Sequence, residues 1–568
     1  MKKFHLTETY ALINFDAAIY DSEVSILHAK GFESVLAQFV KKLRKDKDPI
    51  IEAFKGVKVK QILDVYKVLY VYEYKEALKR FDNLNLILIN RTCLYHFTEA
   101  FYDHWRDIQR FGFMASSRLY HQSAKAPDLI VAIDAFNEVI LSLYRKLSTN
   151  ILGEGFNVYR QLPAGVNANI LYVNHRFSHD AHYARLQNIA MVTKIITRPP
   201  FIGYTKSNVR HEFFTEIDIN PLDELKITKL HYFTFPIKVG PLLAFVYIHR
   251  NFLHQGIALT NLFEFVSYDE MKERKPDIIY IYGIREEEYD CTYYHDKENE
   301  MYLGFVSRNE KNDYFGYLKK MLLTLHNLYM IEHKRLPIHG AMVNVLLKNN
   351  ETKNIVVIGD SGAGKSETLE ALRLTGQDYI REMKIVFDDM GTFFKKDGKI
   401  YAIGTEIGAF VRLDDLDVGY AYKNIDRAIF LNPDQVNARV VLPVTTYKYI
   451  MNHHQVDMVL YANNYLETLD GLRFISDEKE ALNVFREGKR LAKGTTSEIG
   501  LVTSYFANPF GPLQKEKETE IILKDYFKTL FKQNVLVGEL YTNLAIEGKE
   551  KSGPMNAATI LLRHLINK

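Results

Sequence analysis

The sequence predicts an α/β protein in three parts: a helical N-terminal region over residues 1–150, a mixed α/β region over 151–330, and an α/β domain built on a glycine-rich loop over 331–568. Three observations carry this. Before residue 150, apolar residues recur three and four apart with lysines between them. After about Asn157, short β-branched runs alternate with turns. Beyond Pro337 the order becomes strand, Gly-rich loop, helix, strand. A chain of 568 residues also exceeds what one hydrophobic core serves.

In the first part, Phe32–Leu43 and Val57–Leu78 read as amphipathic helices. In the second, Asn169–Val173, His231–Ile237 and Asp277–Tyr282 read as strands, and Tyr314–Glu332 as a helix. In the third, Asn354–Ile358 reads as a strand, Glu367–Leu374 as a helix, and Lys384–Phe387 as a strand that ends in Asp388-Asp389.

Composition excludes several classes. Net charge is +3 on 73 basic and 70 acidic side chains, which argues against a nucleic-acid partner. Two cysteines, Cys93 and Cys291, make neither a disulfide framework nor a cysteine-based metal site. No uninterrupted apolar run reaches about 20 residues, so no membrane span is expected. The opening MKKFHLTETY has no apolar core of the signal-peptide kind, and a cytoplasmic protein is the expectation.

The strongest signal is Gly359-Asp360-Ser361-Gly362-Ala363-Gly364-Lys365-Ser366, followed by Glu367. It fits the P-loop pattern, with a strand before it and a helix after. The glycines let backbone N–H groups turn toward phosphate oxygens, and the helix N-terminus adds partial positive charge. Lys365 can reach the β- and γ-phosphates of a nucleotide, and Ser366 can place its hydroxyl on a metal. The carboxylates of Asp388 and Asp389, next to such a loop, suit a divalent cation.

His339, the loop and the Asp pair follow in an order that resembles both HPr kinase/phosphorylase and phosphoenolpyruvate carboxykinase. Upstream residues favour the carboxykinase. Tyr314-Phe-Gly-Tyr-Leu-Lys319-Lys320-Met resembles that family's Y-G-G-E-M-K-K-G. Glu406-Ile-Gly-Ala-Phe-Val-Arg412 resembles its E-G-G-C-Y-A-K, with Arg in place of the final Lys, and Asn437-Ala-Arg439-Val-Val-Leu-Pro443 resembles N-T-R-V-S-Y-P. Arg486–Ile499 resembles its mobile lid, and Tyr505–Phe510 the segment that leads into the adenine pocket. The resemblance covers about residues 312–568 and is poor before them.

The resemblance implies a P-loop carboxykinase-type C-terminal domain, with residues 151–330 on the substrate side. It implies a Mn²⁺ site of Lys320, His339 and Asp389, and Mg²⁺ at Ser366 with ATP. It places Tyr314 near a carboxylate substrate and Lys319, Arg412 and Arg439 near the phosphoryl group in transfer. The family's carboxylate-binding arginine has no clear counterpart. Arg210, in Tyr204-Thr-Lys-Ser-Asn-Val-Arg210, is the candidate and Arg198 the reserve. The implied reaction converts oxaloacetate and ATP to phosphoenolpyruvate, CO₂ and ADP, without nucleic-acid or membrane partners. Two alternatives stand beside it: an HPr kinase-like serine or small-molecule kinase using His339 and Asp388 as acid–base groups, and a nucleotide-binding regulator without turnover.

Overall fold

The computed structural model describes residues 3–16, 21–52, 54–88, 90–115, 125–153, 163–174, 181–210, 213–272, 274–416, 423–468, 470–492 and 500–566. The chain forms two compact units: Met1–Asn174 with Val192–Phe201, and His175–Met191 with Ile202–Lys568. Residue 150 lies inside the helix Lys125–Leu152 and residue 330 inside Phe315–Glu332. The composition changes there mark no break between units.

The first unit is not purely helical. Tyr10–Asn14, Gln109–Ala115 and Ala168–Asn174 are parallel strands, with Phe4–Leu6 antiparallel at the edge. Helices Lys30–Asp46, Val59–Val71, Arg91–Asp107 and Lys125–Leu152 belong to the same unit. The expected helix over Val57–Leu78 breaks at Tyr72, whose extended backbone separates Val59–Val71 from Tyr74–Arg80. In Lys30–Asp46 the buried residues Val35, Leu36, Phe39, Val40 and Leu43 form one helical stripe. The unit encloses a cavity of about 90 Å³, lined by apolar and aromatic side chains such as Ile13, Phe32, Phe101 and Leu147. No P-loop residue lines it.

The second unit contains two large sheets. In one, the hairpin Tyr232–Val239/Leu242–His249 continues through the parallel strands Ile278–Ile284 and Met301–Ser307. In the other, eight strands run His454–Gln455, Lys399–Gly404, Ile380–Lys396, Leu336–Leu347, Thr352–Ile358, Met458–Asn463, Leu536–Tyr541 and Leu472–Phe474. Its P-loop strand Thr352–Ile358 is parallel to Met458–Asn463, and that to Leu536–Tyr541. Apolar residues of Lys365–Thr375 and Ser552–Ile566 share one core with the sheet, and those of Glu478–Glu487 and Glu516–Lys532 share another. The helix Phe315–Glu332 is apolar on nearly every side because it is buried on nearly every side.

The Asp pair does not end a strand. Ile380–Lys396 runs through it, with Asp388 opposite Ala341 and Asp389 opposite Gly340. The strand gains its other neighbour, Lys399–Gly404, only from Gly391 onward. The apolar run Met390–Phe394 carries the chain on into the core, where Met390 and Phe393 are buried, so two acidic residues do not stop it. Among the described residues, no helix is long and apolar enough to cross a membrane.

Candidate functional site

The loop between Ile358 and the helix Lys365–Thr375 is tightly held. Ala363 N donates to Asp360 O (3.1 Å) and Ser361 N to Asp360 Oδ1 (2.7 Å). From outside, Asn464 Nδ2 donates to Gly362 O (2.9 Å) and Thr542 Oγ1 to Ala363 O (2.7 Å). Gly364 is the helix N-cap, with φ of 88° and no side chain to cap the first turn. A Cβ there would lie 2.7 Å from Thr542 Cβ, so only glycine fits. Lys365 is buried, its Nζ donating to Asp360 O at 3.1 Å. Ser366 and Glu367 are exposed, and Ser366 Oγ donates to Asp388 Oδ1 at 2.7 Å.

Three of the candidate residues meet on Asp389, a fourth. Lys320 Nζ is 2.8 Å and Lys319 Nζ 2.6 Å from Asp389 Oδ2, while His339 Nε2 is 3.0 Å from Asp389 Oδ1. Lys319 is also 3.0 Å from Glu406 Oε1. The adjacent lysines of Phe315–Glu332 stand about 100° apart around the helix and reach one carboxylate through their long side chains, while His339 reaches it from the neighbouring strand. Burial alone would lower the Lys319 pKa, but Asp389 and Glu406 override it and raise it. For Lys320 burial prevails, helped by the charge of Lys319, and its pKa is lowered. Asp389 is held well below the carboxylate range by the two lysines and His339, against burial. Burial pushes Asp388 up to about 6 and Glu406 up to about 7.

The histidine poses a hydrogen-bond problem. Its Nδ1 is 2.8 Å from Ala507 O, with Asp360 Oδ1 at 3.5 Å, and its Nε2 faces Asp389 Oδ1. Every one of these partners is an acceptor. Burial lowers the His339 pKa and favours the neutral ring, which has one N–H for two acceptors. With the proton on Nδ1 toward Ala507, the Nε2 lone pair points at a carboxylate. His339 Nε2, Asp389 and a neutral Lys320 amine are the donors that would hold a divalent cation, which would relieve that conflict. Among the described residues no group of three His, Cys, Asp or Glu side chains is placed to hold a metal ion, and this group supplies two of those types beside its lysine.

Two phenyl rings organise the surrounding cations. Phe410 has Lys319 Nζ at 5.9 Å and Arg439 Cζ at 5.8 Å from its centroid, and the Tyr314 ring at 6.0 Å. Phe510 has Lys320 Nζ at 4.5 Å, Arg210 Cζ at 5.2 Å and the His339 ring at 6.0 Å. Such contacts steer cations without neutralising them. Tyr314 caps the helix Phe315–Glu332, and its ring folds over Gly316, where a Cβ would lie 2.2 Å from Tyr314 Cε1. Arg412 and Arg439 are directly opposite on antiparallel strands; Arg412 Nη2 lies 3.6 Å from Asp414 Oδ2, and Arg439 Nη1 is buried with no hydrogen-bond partner among the described residues.

Arg210 thus belongs to this cluster, beside Lys320 on the Phe510 ring, and its pKa is lowered by burial. The loop that carries it is tied down: Asp313 accepts Lys206 N (3.1 Å), and Asn432 Nδ2 and Asn437 Nδ2 donate to Asn208 (2.7 and 3.0 Å). Arg198 lies in the first unit, where it pairs with Asp134.

The expected mobile lid, Arg486–Ile499, is anchored over its first half. Arg486 pairs with Glu520, and Lys489–Leu491 is a strand paired with Leu501–Thr503. Arg490 is buried, its Nε 3.1 Å from Asp360 Oδ2, because a charge beside the loop replaces what solvent would supply. Residues 493–499 lie outside the described residues. Arg490, Phe410 and Phe510 lie in segments that the resemblance singles out, but their roles are set by partners distant in the chain. His454 and Asp457 are bonded to backbone: His454 Nε2 to Tyr449 O and Asp457 Oδ2 to Asn354 N, both at 2.8 Å.

No family model matches this chain, and no curated protein matches it.

Proposed function

We propose that the second unit is a P-loop carboxykinase-type catalytic unit that converts oxaloacetate and ATP to phosphoenolpyruvate, CO₂ and ADP. One observation carries the reading. Adjacent residues of one strand join the two halves of the chemistry: Asp388 accepts from Ser366 of the loop, and Asp389 holds Lys320 and His339.

Arg210 and Tyr314 orient the carboxylate of the acid. Cleavage of the C–C bond releases CO₂ and leaves the electron pair on an enolate. The enolate oxygen attacks the γ-phosphorus, the bond to the β–γ bridging oxygen breaks, and ADP leaves. Lys365, Lys319, Arg412 and Arg439 neutralise the charge spread over the phosphoryl oxygens. Lys320, His339 and Asp389 fit Mn²⁺, and Ser366 with Asp388 fits Mg²⁺, ions that supply Lewis-acid stabilisation of enolate and phosphate charge when bound. Arg439 Nη1, buried and without a partner among the described residues, gives an anion a ready donor.

The test is a coupled assay with oxaloacetate, ATP and Mn²⁺, following phosphoenolpyruvate, with His339→Ala and Lys365→Ala beside the wild type. Product from the wild type alone supports the proposal. ATP binding without product turns the reading to a hydroxyl kinase, which one observation favours: the Asp388 carboxyl, raised to about 6, suits a general base near neutral pH.

A further inference from the structure

Three neighbouring parallel strands of the second unit each run straight into an arginine. Leu242–His249 is followed by Arg250, Ile278–Ile284 by Arg285, and Met301–Ser307 by Arg308. The strands end in phase: Ile248 pairs with Tyr282, Ile284 with Ser307, and Arg308 N donates to Ile284 O at 2.8 Å. The bulge between Tyr282 and Ile284 lies just before Arg285, where such a kink re-aims side chains. The hairpin partner adds His231, whose carbonyl accepts Arg250 N at 2.8 Å and whose ring centroid is 5.7 Å from that of His249. Three arginines and two histidines therefore occupy one carboxyl edge, on strands spaced about 4.8 Å apart.

No carboxylate pairs directly with this charge among the described residues. None of the three guanidinium groups makes an ion pair or hydrogen bond among the described residues, and Arg250 Nε is buried. Glu286, next in the chain, spends its carboxylate on the backbone N–H groups of Arg285 (3.0 Å) and Lys226 (3.4 Å). Glu287 and Glu288 stand exposed in the following turn. The histidines register the field: burial, then His231 and the three arginines, push His249 down to about 3, and burial with the same arginines lowers His231.

We propose that this edge is a second anion-binding site, sharing no residue with the P-loop, for a small molecule bearing one or two phosphate groups. The carboxyl edge of parallel strands is where open α/β sheets take ligands. Guanidinium forks match phosphate oxygens in pairs. The row spans three strands, roughly 10 Å, which suits a compact anion. A nucleic-acid backbone calls for a longer basic stripe.

The test is calorimetric titration of pyrophosphate into the full chain carrying Lys365→Ala, which removes the loop's own phosphate contact. One pyrophosphate per chain is expected to bind. Adding Arg285→Gln and Arg308→Gln, both at exposed positions, is expected to weaken it by roughly tenfold or more through loss of charge-assisted donors. Thermal melts of the variants check that the fold is kept. Affinity unchanged by the two substitutions overturns the proposal, as does absence of binding in Lys365→Ala alone. Tighter binding of a single-stranded oligonucleotide than of pyrophosphate overturns the small-ligand assignment and makes the edge a nucleic-acid surface.

Discussion

His339 and Asp389 lie on neighbouring antiparallel strands, one residue out of register because His339 is opposite Met390, yet Nε2 is 3.0 Å from Oδ1, while the other ring nitrogen is 2.8 Å from the carbonyl of Ala507. A buried neutral ring between two acceptors is a poor arrangement for a core and a good one for a cation. The expected signature is proton release when Mn²⁺ binds, as the ring and Lys320 give up any proton they hold. Titrations of Mn²⁺ in two buffers of different ionisation enthalpy read it directly. Equal heats in both buffers count against the assignment.

Asp389→Asn is expected to remove Mn²⁺ binding and to cost roughly 3–5 kcal/mol of stability, because buried Lys319 and half-buried Lys320 lose their shared counter-charge. Urea denaturation measures the second effect and electron paramagnetic resonance of free Mn²⁺ the first. Wild-type Mn²⁺ affinity in this variant would place the ion elsewhere.

Arg439→Met separates function from stability. The guanidinium is buried and Nη1 has no partner among the described residues, so its removal is expected to leave the fold as stable or more stable by about 1–3 kcal/mol. Turnover is expected to fall by about 10²–10³, the usual loss for one charge-stabilising donor. A variant that loses stability and keeps its rate would make Arg439 a structural residue.

Gly364→Ala forces a Cβ to within 2.7 Å of Thr542 Cβ at φ of 88°. Backbone strain of about 1–3 kcal/mol is expected, with loss of nucleotide affinity as the loop shifts. Equilibrium dialysis with ATP, beside a melting curve, tests both. A variant with unaltered ATP affinity would mean that this turn does not shape the phosphate cradle.

Glu406 gives a pH dependence with a definite sign. Its pKa rises from 4.5 to about 7 on folding, chiefly by burial. The folded state then holds the proton that the unfolded state has released, so stability falls as pH rises through that window. Glu406→Gln is expected to flatten this part of the profile between about pH 4.5 and 7. Denaturant midpoints measured across that range decide it, and an unchanged slope would assign the effect to another group.

Much of the second unit was legible because its signals are local. The strand Thr352–Ile358, the glycine loop and the helix Lys365–Thr375 each follow from neighbours within a turn or a strand. The adjacency of Lys319 and Lys320 on a helix is equally local. What tertiary structure alone decided is which distant residues meet. Sheet register sets His339 beside Asp389, the fold of Tyr505–Phe510 delivers Phe510 to both Lys320 and Arg210, and Arg490 reaches Asp360 across 130 residues. The continuation of Ile380–Lys396 through two aspartates was hidden because pairing with Leu336–Leu347 overrides the turn preference of an Asp pair. Three arginines scattered over 58 residues became one edge only when parallel strands aligned their ends, since a β ladder joins segments that sequence separation keeps apart.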